Sequence, residues 1–412
     1  MPQQDRHGLN SYPGTLSESW PSFVPNNQVT LLHNGEDYFP AIEAAFDRAR
    51  HDIYLETYIY QNDATGQRIA DALKRAASRG VKVYVLIDGY GSQDLSRSML
   101  DRLQADGVKT LIFRPQISPW TFQRQRLRRM HRKIVVVDRS IAFVGGINII
   151  DDKGSEVDMP SRFDYAVAVE GPMVDVIRLS AQRLWSRVAW SSFRKGMVKN
   201  VPLPVSTFTG GSMRAAFLIR DNFHHRRDIE EAYLQAIRQA KSEIILANAY
   251  FLPGLNFRHA LIDAAARGVR VVLLLQGKVE YPLEHYGSQA LYGTFLDAGI
   301  EVYEYRKSFL HSKVAVIDGH WATVGSSNID PFSLLLSLEA NLVVDDEAFG
   351  ATLLQSLKRT METDGRQILT ASWQQRHAGL RFISWLCYGL LRLMQGISGY
   401  AGENSGRRTN EQ

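Results

Sequence analysis

The sequence predicts an α/β protein built from two copies of one lobe, and three observations carry that prediction. First, the chain repeats itself. His131, Lys133, Asp138, Gly145 and Asn148 recur as His311, Lys313, Asp318, Gly325 and Asn328, every member displaced by 180 positions. Second, β-branched apolar runs alternate in each half with helical stretches of about 10–15 residues, the pattern of a sheet covered by helices on both faces. Third, glycines close those stretches, as in Arg79-Gly80-Val81 and Arg267-Gly268-Val269, where a chain leaving a helix takes a left-handed residue.

Taken in order, residues 38–50 and 229–241 are the matching first helices, followed by the strands 53–60 and 244–251. A second helix and the buried strands that open at Val81 and Val269 come next. A third helix ends at Gly107 in one half and Gly299 in the other. The runs 133–138 and 313–318 then form strands, each turning into another at 141–144 and 321–324. Two lobes are expected, 25–200 and 201–370, joined by a Pro-, Ser- and Gly-rich loop over 202–212. Residues 371–412 add an apolar segment and a polar tail, expected to be disordered from 402.

Composition narrows the class. An apolar fraction of 45% with 22% charged residues suits a large packed core that needs no disulfide or metal to fold. The single cysteine, Cys387, rules out an intramolecular disulfide and a cysteine zinc site, and fits a reducing compartment. The opening 14 residues are polar, with no apolar run resembling a signal peptide. The longest apolar stretch, 380–394, carries Arg381 and Arg392 and falls short of the ~20 residues that cross a bilayer. No integral membrane segment is expected.

The repeated set carries the chemistry. Residues two apart on a strand face one side, so each His-x-Lys pair is expected to project together. The aspartate closes the far end of the strand and is expected to fix the turn rather than touch substrate. The glycines admit close backbone approach, and Asn148 and Asn328 offer amides to phosphate oxygens. Pseudo-twofold packing would bring both sets face to face in one site, with no metal-ligand set and no nucleotide loop of the Gly-x4-Gly-Lys-Ser/Thr kind.

This His-x-Lys-x4-Asp-x6-Gly-x2-Asn pattern, over about residues 29–365, resembles the signature of the phospholipase D superfamily. Within it the two-lobed chain is similar to the bacterial cardiolipin synthases of the shorter B type, which lack an N-terminal membrane hairpin. Asp88-Gly89-Tyr90-Gly91-Ser92, Arg129-Met130-His131-Arg132-Lys133-Ile134 and Ala247-Asn248-Ala249-Tyr250-Phe251 support that likeness. The resemblance implies the phospholipase D fold, with His131, Lys133, Asp138, His311, Lys313 and Asp318 as the catalytic motif residues. It also implies a buried acid after each motif, hydrogen-bonded to the far nitrogen of a motif histidine; Asp164 and Glu339 stand at the matching places. The repeat is imperfect, since Gly145-Gly146 answers to Gly325-Ser326.

The implied activity is phosphatidyl transfer from one phosphatidylglycerol to another, giving cardiolipin and glycerol through a phosphohistidine, without a cofactor. His131 is the expected nucleophile and His311 the acid and base. The alternatives are hydrolysis by the same residues, as in a phospholipase D, or nuclease action. The implied location is peripheral, at the cytoplasmic face of the bacterial inner membrane.

Three segments could meet an anionic phospholipid membrane. Between Gly107 and Val137 there is no acid, while Lys109, Arg114, Arg124, Arg126, Arg128, Arg129, Arg132 and Lys133 are basic, around Pro119, Trp120 and Phe122. Such a loop docks on lipid, lies solvated, or binds nucleic acid, the last not expected here. Residues 183–195 mix aromatic and basic side chains, as an interfacial helix or a core helix would. In 380–394 the residues Arg381, Ser384, Tyr388 and Arg392 form one polar stripe on an apolar helix, suited to a bilayer interface or to packing on a lobe.

Overall fold

The computed structural model describes residues 21–115, 128–151, 161–192, 208, 210–221, 224–330, 337–375 and 377–397. The first lobe runs β1 (Val24–His33), α1 (Asn34–Arg48), β2 (Asp52–Thr57), α2 (Ala64–Ser78), β3 (Lys82–Asp88), α3 (Arg97–Ala105) and β4 (Lys109–Phe113). It continues through β5 (Arg129–Met130), β6 (Lys133–Val137), β7 (Ile141–Gly145), β8 (Tyr165–Glu170) and α4 (Met173–Ser191). The second lobe repeats that order: β9 (Met213–Arg220), α5 (Asp228–Gln239), β10 (Glu243–Asn248), α6 (Leu255–Ala266), β11 (Arg270–Gln276), α7 (Pro282–Gln289), α8 (Tyr292–Asp297) and β12 (Glu301–Tyr305). Then come β13 (Lys313–Ile317), β14 (Trp321–Gly325), β15 (Ser337–Asp345), α9 (Glu347–Asp364), β16 (Gly365–Ile368), α10 (Thr370–Gln374) and α11 (Ala378–Ile397).

The helices end where the glycines predict. Gly80, Gly107, Gly268 and Gly299 all have φ between 77° and 89°, the left-handed region that costs glycine nothing.

The strands form one sheet in the order β4-β3-β2-β6-β7-β8-β1-β9-β15-β14-β13-β10-β11-β12-β16. Each half is the mirror order of the other about the β1–β9 seam, which is antiparallel and shifts register between Val24 and Asn27. In the first half β2, β3 and β4 run parallel and β6 lies antiparallel to β2. The second half matches with β10, β11, β12 and β13.

Side chains alternate across this sheet. Ile134, Val136, Ala142 and Val144 face a central core closed by α4 and α9, which both halves share. Val135, Val137 and Phe143 face a second core under α1, α2 and α3. A third core, under α5, α6 and α8, holds Ala315 and Ile317. Burying apolar residues on both faces of the same strands is what makes them read as unbroken apolar runs.

Two of the proposed membrane segments change character. The helix α4 buries Ile177, Ala181, Leu184, Trp185 and Val188 in the central core, so this part of 183–195 is a core helix; Trp190 remains 78% exposed, and residues 193–195 lie outside the described residues. In α11 the polar stripe packs on the lobe at its centre, the second of the two placements expected for it. Ser384 and Leu391 are buried against the lobe, and Leu391 crosses α7 at Gly287, where an added Cβ would lie 2.5 Å from its Cδ1. Phe382, Trp385, Leu386, Leu390 and Leu393 point outward instead, exposed by 47–68%. No helix among the described residues is long and apolar enough to cross a membrane.

Candidate active site

The two motifs meet where the lobes exchange short strands. β5 leaves its own lobe and pairs in parallel with β15, setting Arg129 against Ser337 and Met130 against Leu338. The reciprocal contact is the bridge between Phe163 and Leu310. This exchange fixes both histidine backbones: His131 N–H donates to Leu338 O at 2.9 Å, and His311 N–H to Phe163 O at 2.8 Å. From behind, Asp88 accepts from Met130 N–H at 2.8 Å and Gln276 from Leu310 N–H at 3.2 Å. The strands β6 and β13 begin only at the lysines, so the histidines sit in the breaks before them rather than on the strands as the alternation argument required. Each lysine turns back on its own motif: Lys133 Nζ donates to His131 O at 2.6 Å, and Lys313 Nζ to His311 O.

Each histidine takes its carboxylate from the opposite lobe. His131 Nδ1 lies 3.1 and 3.2 Å from the two oxygens of Glu339, and His311 Nδ1 lies 2.6 Å from Asp164 Oδ2. The acids differ in support. Glu339 is fully buried and accepts from Ser326 Oγ at 2.5 Å. Asp164 accepts from the N–H of Tyr165 at 2.7 Å, and the residue equivalent to Ser326 is Gly146, where a Cβ would stand 2.4 Å from Asp164 Oδ1. The Gly-Gly and Gly-Ser difference of the repeat is thus an adjustment of the floor beneath each acid. With Nδ1 engaged, Nε2 of each ring is the nitrogen left for chemistry.

Electrostatics tie the two sets into one site. Burial pushes Lys133 down to about 7, with Glu339 opposing and Lys313 adding to the shift. Burial likewise holds Lys313 at about 8, with Asp164 and Glu339 opposing. Asp164 is pushed up to about 6 by burial, against the pull of Lys313. His131 is lowered by burial, with Glu339 opposing. His311 is held well below its ordinary value by burial and by the charges of Lys313, Arg162 and Lys133. Cations that lower one another's basicity in a buried space favour an anion beside them.

Asn148 accepts from Ile59 N–H at 3.1 Å through Oδ1, so its amide N–H groups remain as donors. Asn328 is buried at the matching place, beside Ile329, whose N–H donates to Asn248 Oδ1 at 3.2 Å. Asp138 and Asp318 stand at the opposite ends of β6 and β13, away from the histidines. Asp138 accepts from the N–H groups of Arg50, His51 and Asp52, and Asp318 from those of Lys241, Ser242 and Glu243. Both have φ above 50°, which fits a fixed turn. Counting these aspartates as catalytic is therefore corrected: they staple the helix-to-strand turns.

The basic loop also changes. Arg132 is buried and paired with Glu56 at 2.5 Å, Lys133 is in the site, and Arg129 lies 5.0 Å over the Tyr90 ring. Arg124, Arg126, Pro119, Trp120 and Phe122 lie outside the described residues. Sequence reasoning gave no role to Tyr58, whose ring meets that of His131 edge-on at 4.8 Å, nor to the pairing of Arg162 with Glu280 across the lobes at 3.0 Å. Tyr58 follows β2 directly, and its place beside the motif strand was the signal available. Among the described residues, no three His, Cys, Asp or Glu side chains converge as a metal site.

The profile of a family described as cardiolipin synthase, PLD-like domain, matches residues 42–161 and 233–364, one match on each lobe. The chain belongs to that family. Among its relatives, cardiolipin synthase B of Shigella flexneri is 40% identical over 393 residues, 94% of this chain and 93% of that protein. Cardiolipin synthase B of Escherichia coli K12 is 42% identical over 352 residues, 84% of this chain and 83% of that protein. The fold is also that of the phosphatidylserine synthase of Haemophilus influenzae, with a TM-score of 0.67 at 14% identity, covering 90% of this chain and 96% of that one. Both matched segments of the PLD-like family include a motif histidine and its lysine, at 131 and 133 and at 311 and 313.

Proposed function

We propose that this chain is a cardiolipin synthase that transfers a phosphatidyl group from one phosphatidylglycerol to the head-group hydroxyl of another. The observation that carries this reading is the crossed pair of histidine–carboxylate contacts around two buried lysines, in a chain of the cardiolipin synthase family.

Nε2 of one histidine, assigned to His131, attacks phosphorus and forms the P–N bond. The glycerol oxygen leaves with the proton of His311. A second phosphatidylglycerol then enters, His311 removes the proton of its hydroxyl, and the new P–O bond forms as the P–N bond breaks. Lys133, Lys313, Asn148 and Asn328 hold the phosphate oxygens as charge spreads onto them. Glu339 and Asp164 keep Nδ1 protonated and the rings aimed. The closer carboxylate contact backs His311, which suits the ring that carries positive charge in turn. Burial, and after it the charges of Lys313, Arg162 and Lys133, lowers the basicity of that ring, and the negative charge of a phosphodiester would oppose this and favour its protonation. Exchange between two phosphodiesters is nearly isoenergetic and needs no nucleotide.

The substrate lies in a membrane, and the outward apolar face of α11 suits peripheral attachment at the bilayer interface. The deciding test is to incubate purified protein with phosphatidylglycerol alone. Cardiolipin and glycerol are expected; phosphatidic acid without cardiolipin would make the protein a hydrolase.

A further inference from the structure

Transfer between two phosphatidylglycerols poses a problem that the histidine clamp does not solve. The acceptor carries a phosphodiester of its own, which must lie near the reacting phosphate, because the two end as neighbours across one glycerol bridge. The acceptor's phosphate therefore needs a cationic place beside the clamp.

On the first-lobe side of His131 the carboxyl ends of the parallel strands β2, β3 and β4 present Tyr58, the Asp88-Gly89-Tyr90 turn and Arg114 in succession. Ligands of open α/β sheets gather at that edge. The turn and Arg114 are in close contact: Gly89 N–H donates to Phe113 O at 2.9 Å, and a Cβ on Gly89 would lie 2.6 Å from Arg114 O. The Arg114 guanidinium lies 5.4 Å from the Phe113 ring centre, and its Nη1 is buried with no hydrogen-bond partner. A buried guanidinium nitrogen left without an acceptor is costly, and a ligand oxyanion would remove that cost.

Its surroundings are cationic. Burial lowers the Arg114 value, and the neighbouring charges of Arg128 and Arg129 lower it further, with only Asp88 opposing. Asp88 is the one acid set against the three arginines; it lies 3.9 Å from Arg129 Nη1 and also accepts from the N–H groups of Met130, Tyr90 and Gly91. Arg129 lies over Tyr90, two residues before His131, and so links this cluster to the clamp.

We propose that Arg114, flanked by Arg128 and Arg129, is a second phosphate subsite that holds the phosphodiester of the acceptor lipid while its head-group hydroxyl reaches the phosphohistidine. This rests on the transfer reading above and names its second binding site. The subsite favours acceptors that carry a phosphate over acceptors that are plain alcohols.

The test offers one donor two acceptors. Full-length wild type and Arg114→Gln are given vesicles of labelled phosphatidylglycerol, and the label is followed into cardiolipin or, with ethanol added, into phosphatidylethanol. The variant should lose roughly tenfold or more in cardiolipin formation while ethanol transfer stays within about twofold, the size expected for one charge-assisted contact. Arg114→Lys, which keeps the charge, should restore much of the discrimination. An equal loss of both products in both variants would overturn the proposal, as would no loss of either. Wild type that makes phosphatidylethanol but no cardiolipin would remove the transfer reading and the subsite with it. Inorganic phosphate that inhibits through Arg114 without changing the preference between acceptors would assign the site to free phosphate and overturn the lipid assignment.

Discussion

Nδ1 of His131 lies 3.1 Å from Oε1 of Glu339, and these two residues belong to different lobes. The acid that orients the first motif's histidine follows the second motif, and Asp164 repeats the arrangement for His311. Neither lobe holds a complete histidine–acid pair.

Glu339→Gln should therefore slow attack by His131, a residue of the opposite lobe. A fall in kcat of ~10²–10⁴ is expected with the fold preserved, the range for a lost orienting carboxylate. His131→Ala and His311→Ala should each abolish transfer. Near wild-type turnover in any of the three, by radiolabelled product formation, would break the shared-site scheme.

Gly146 gives a steric test of the same geometry. Gly146→Ala places a methyl 2.4 Å from Asp164 Oδ1, so the carboxylate must move off His311 and activity should fall by at least tenfold. Ser326→Ala, which removes the hydroxyl that donates to Glu339 and accepts from Ala340 N–H, should cost less, since it pushes neither acid off its histidine. The ranking of the two kcat values decides.

The buried lysines predict opposite trends with pH. Lys133 is held near 7 and Lys313 near 8, below the ordinary 10.5. Between those values and 10.5 the unfolded chain holds protons that the folded chain has released, so stability rises with pH through that window. Below about 7 both states are protonated and the full cost of the buried charges remains. Activity should run the other way, kcat/KM falling above about 7 to 8 as the clamp loses charge. Lys133→Met should be inactive, and urea midpoints against pH should show it gaining most over wild type at or below about 7. A constant difference between the two proteins from pH 6 to 10 would remove this account.

Asp138→Ala should behave as a stability variant. Three backbone N–H groups lose their acceptor, at ~1 kcal/mol or more each where buried, while the histidines keep their partners. A lowered Tm with measurable turnover at low temperature is expected; a fully folded, dead enzyme would return Asp138 to the chemistry.

Replacing Phe382, Trp385 and Leu386 together by serine removes outward apolar surface without touching Ser384 or Leu391, which pack inward. Flotation with anionic liposomes should weaken, while cleavage of a short-chain soluble phosphodiester persists. Undiminished flotation would assign membrane contact elsewhere.

Much of this was legible in the chain because a repeat displays chemistry directly: both histidines and both lysines stand 180 positions apart, while the acids Asp164 and Glu339 were implied by the family resemblance. What a repeat cannot display is which lobe each partner faces, so the crossing of Glu339 to His131 had to come from the structure. The stripe on α11 was visible by periodicity, yet periodicity does not say which side is covered. Its polar members Ser384 and Tyr388 lie toward the lobe because α7 offers a close approach at Gly287. Counting positive charges likewise overstated the basic loop, since Arg132 answers Glu56 in the interior.

The lobes are joined by two kinds of stitch, the β1–β9 seam and the short exchange of β5 onto β15 beside the histidines. Opening the halves like a clamshell would break strand pairing and pull both rings off their acids at once. Separating the lobes would thus cost strand pairing and both histidine–acid contacts together, which argues for lipid passage without that motion. On the transfer reading a donor would present its phosphate between lobes held closed in this way, and a product with four acyl chains would have to withdraw from between them. Release of so bulky a molecule from a rigid frame makes departure, rather than bond exchange, the natural candidate for the slowest step, and makes the reverse reaction an intrinsic property of the same opening.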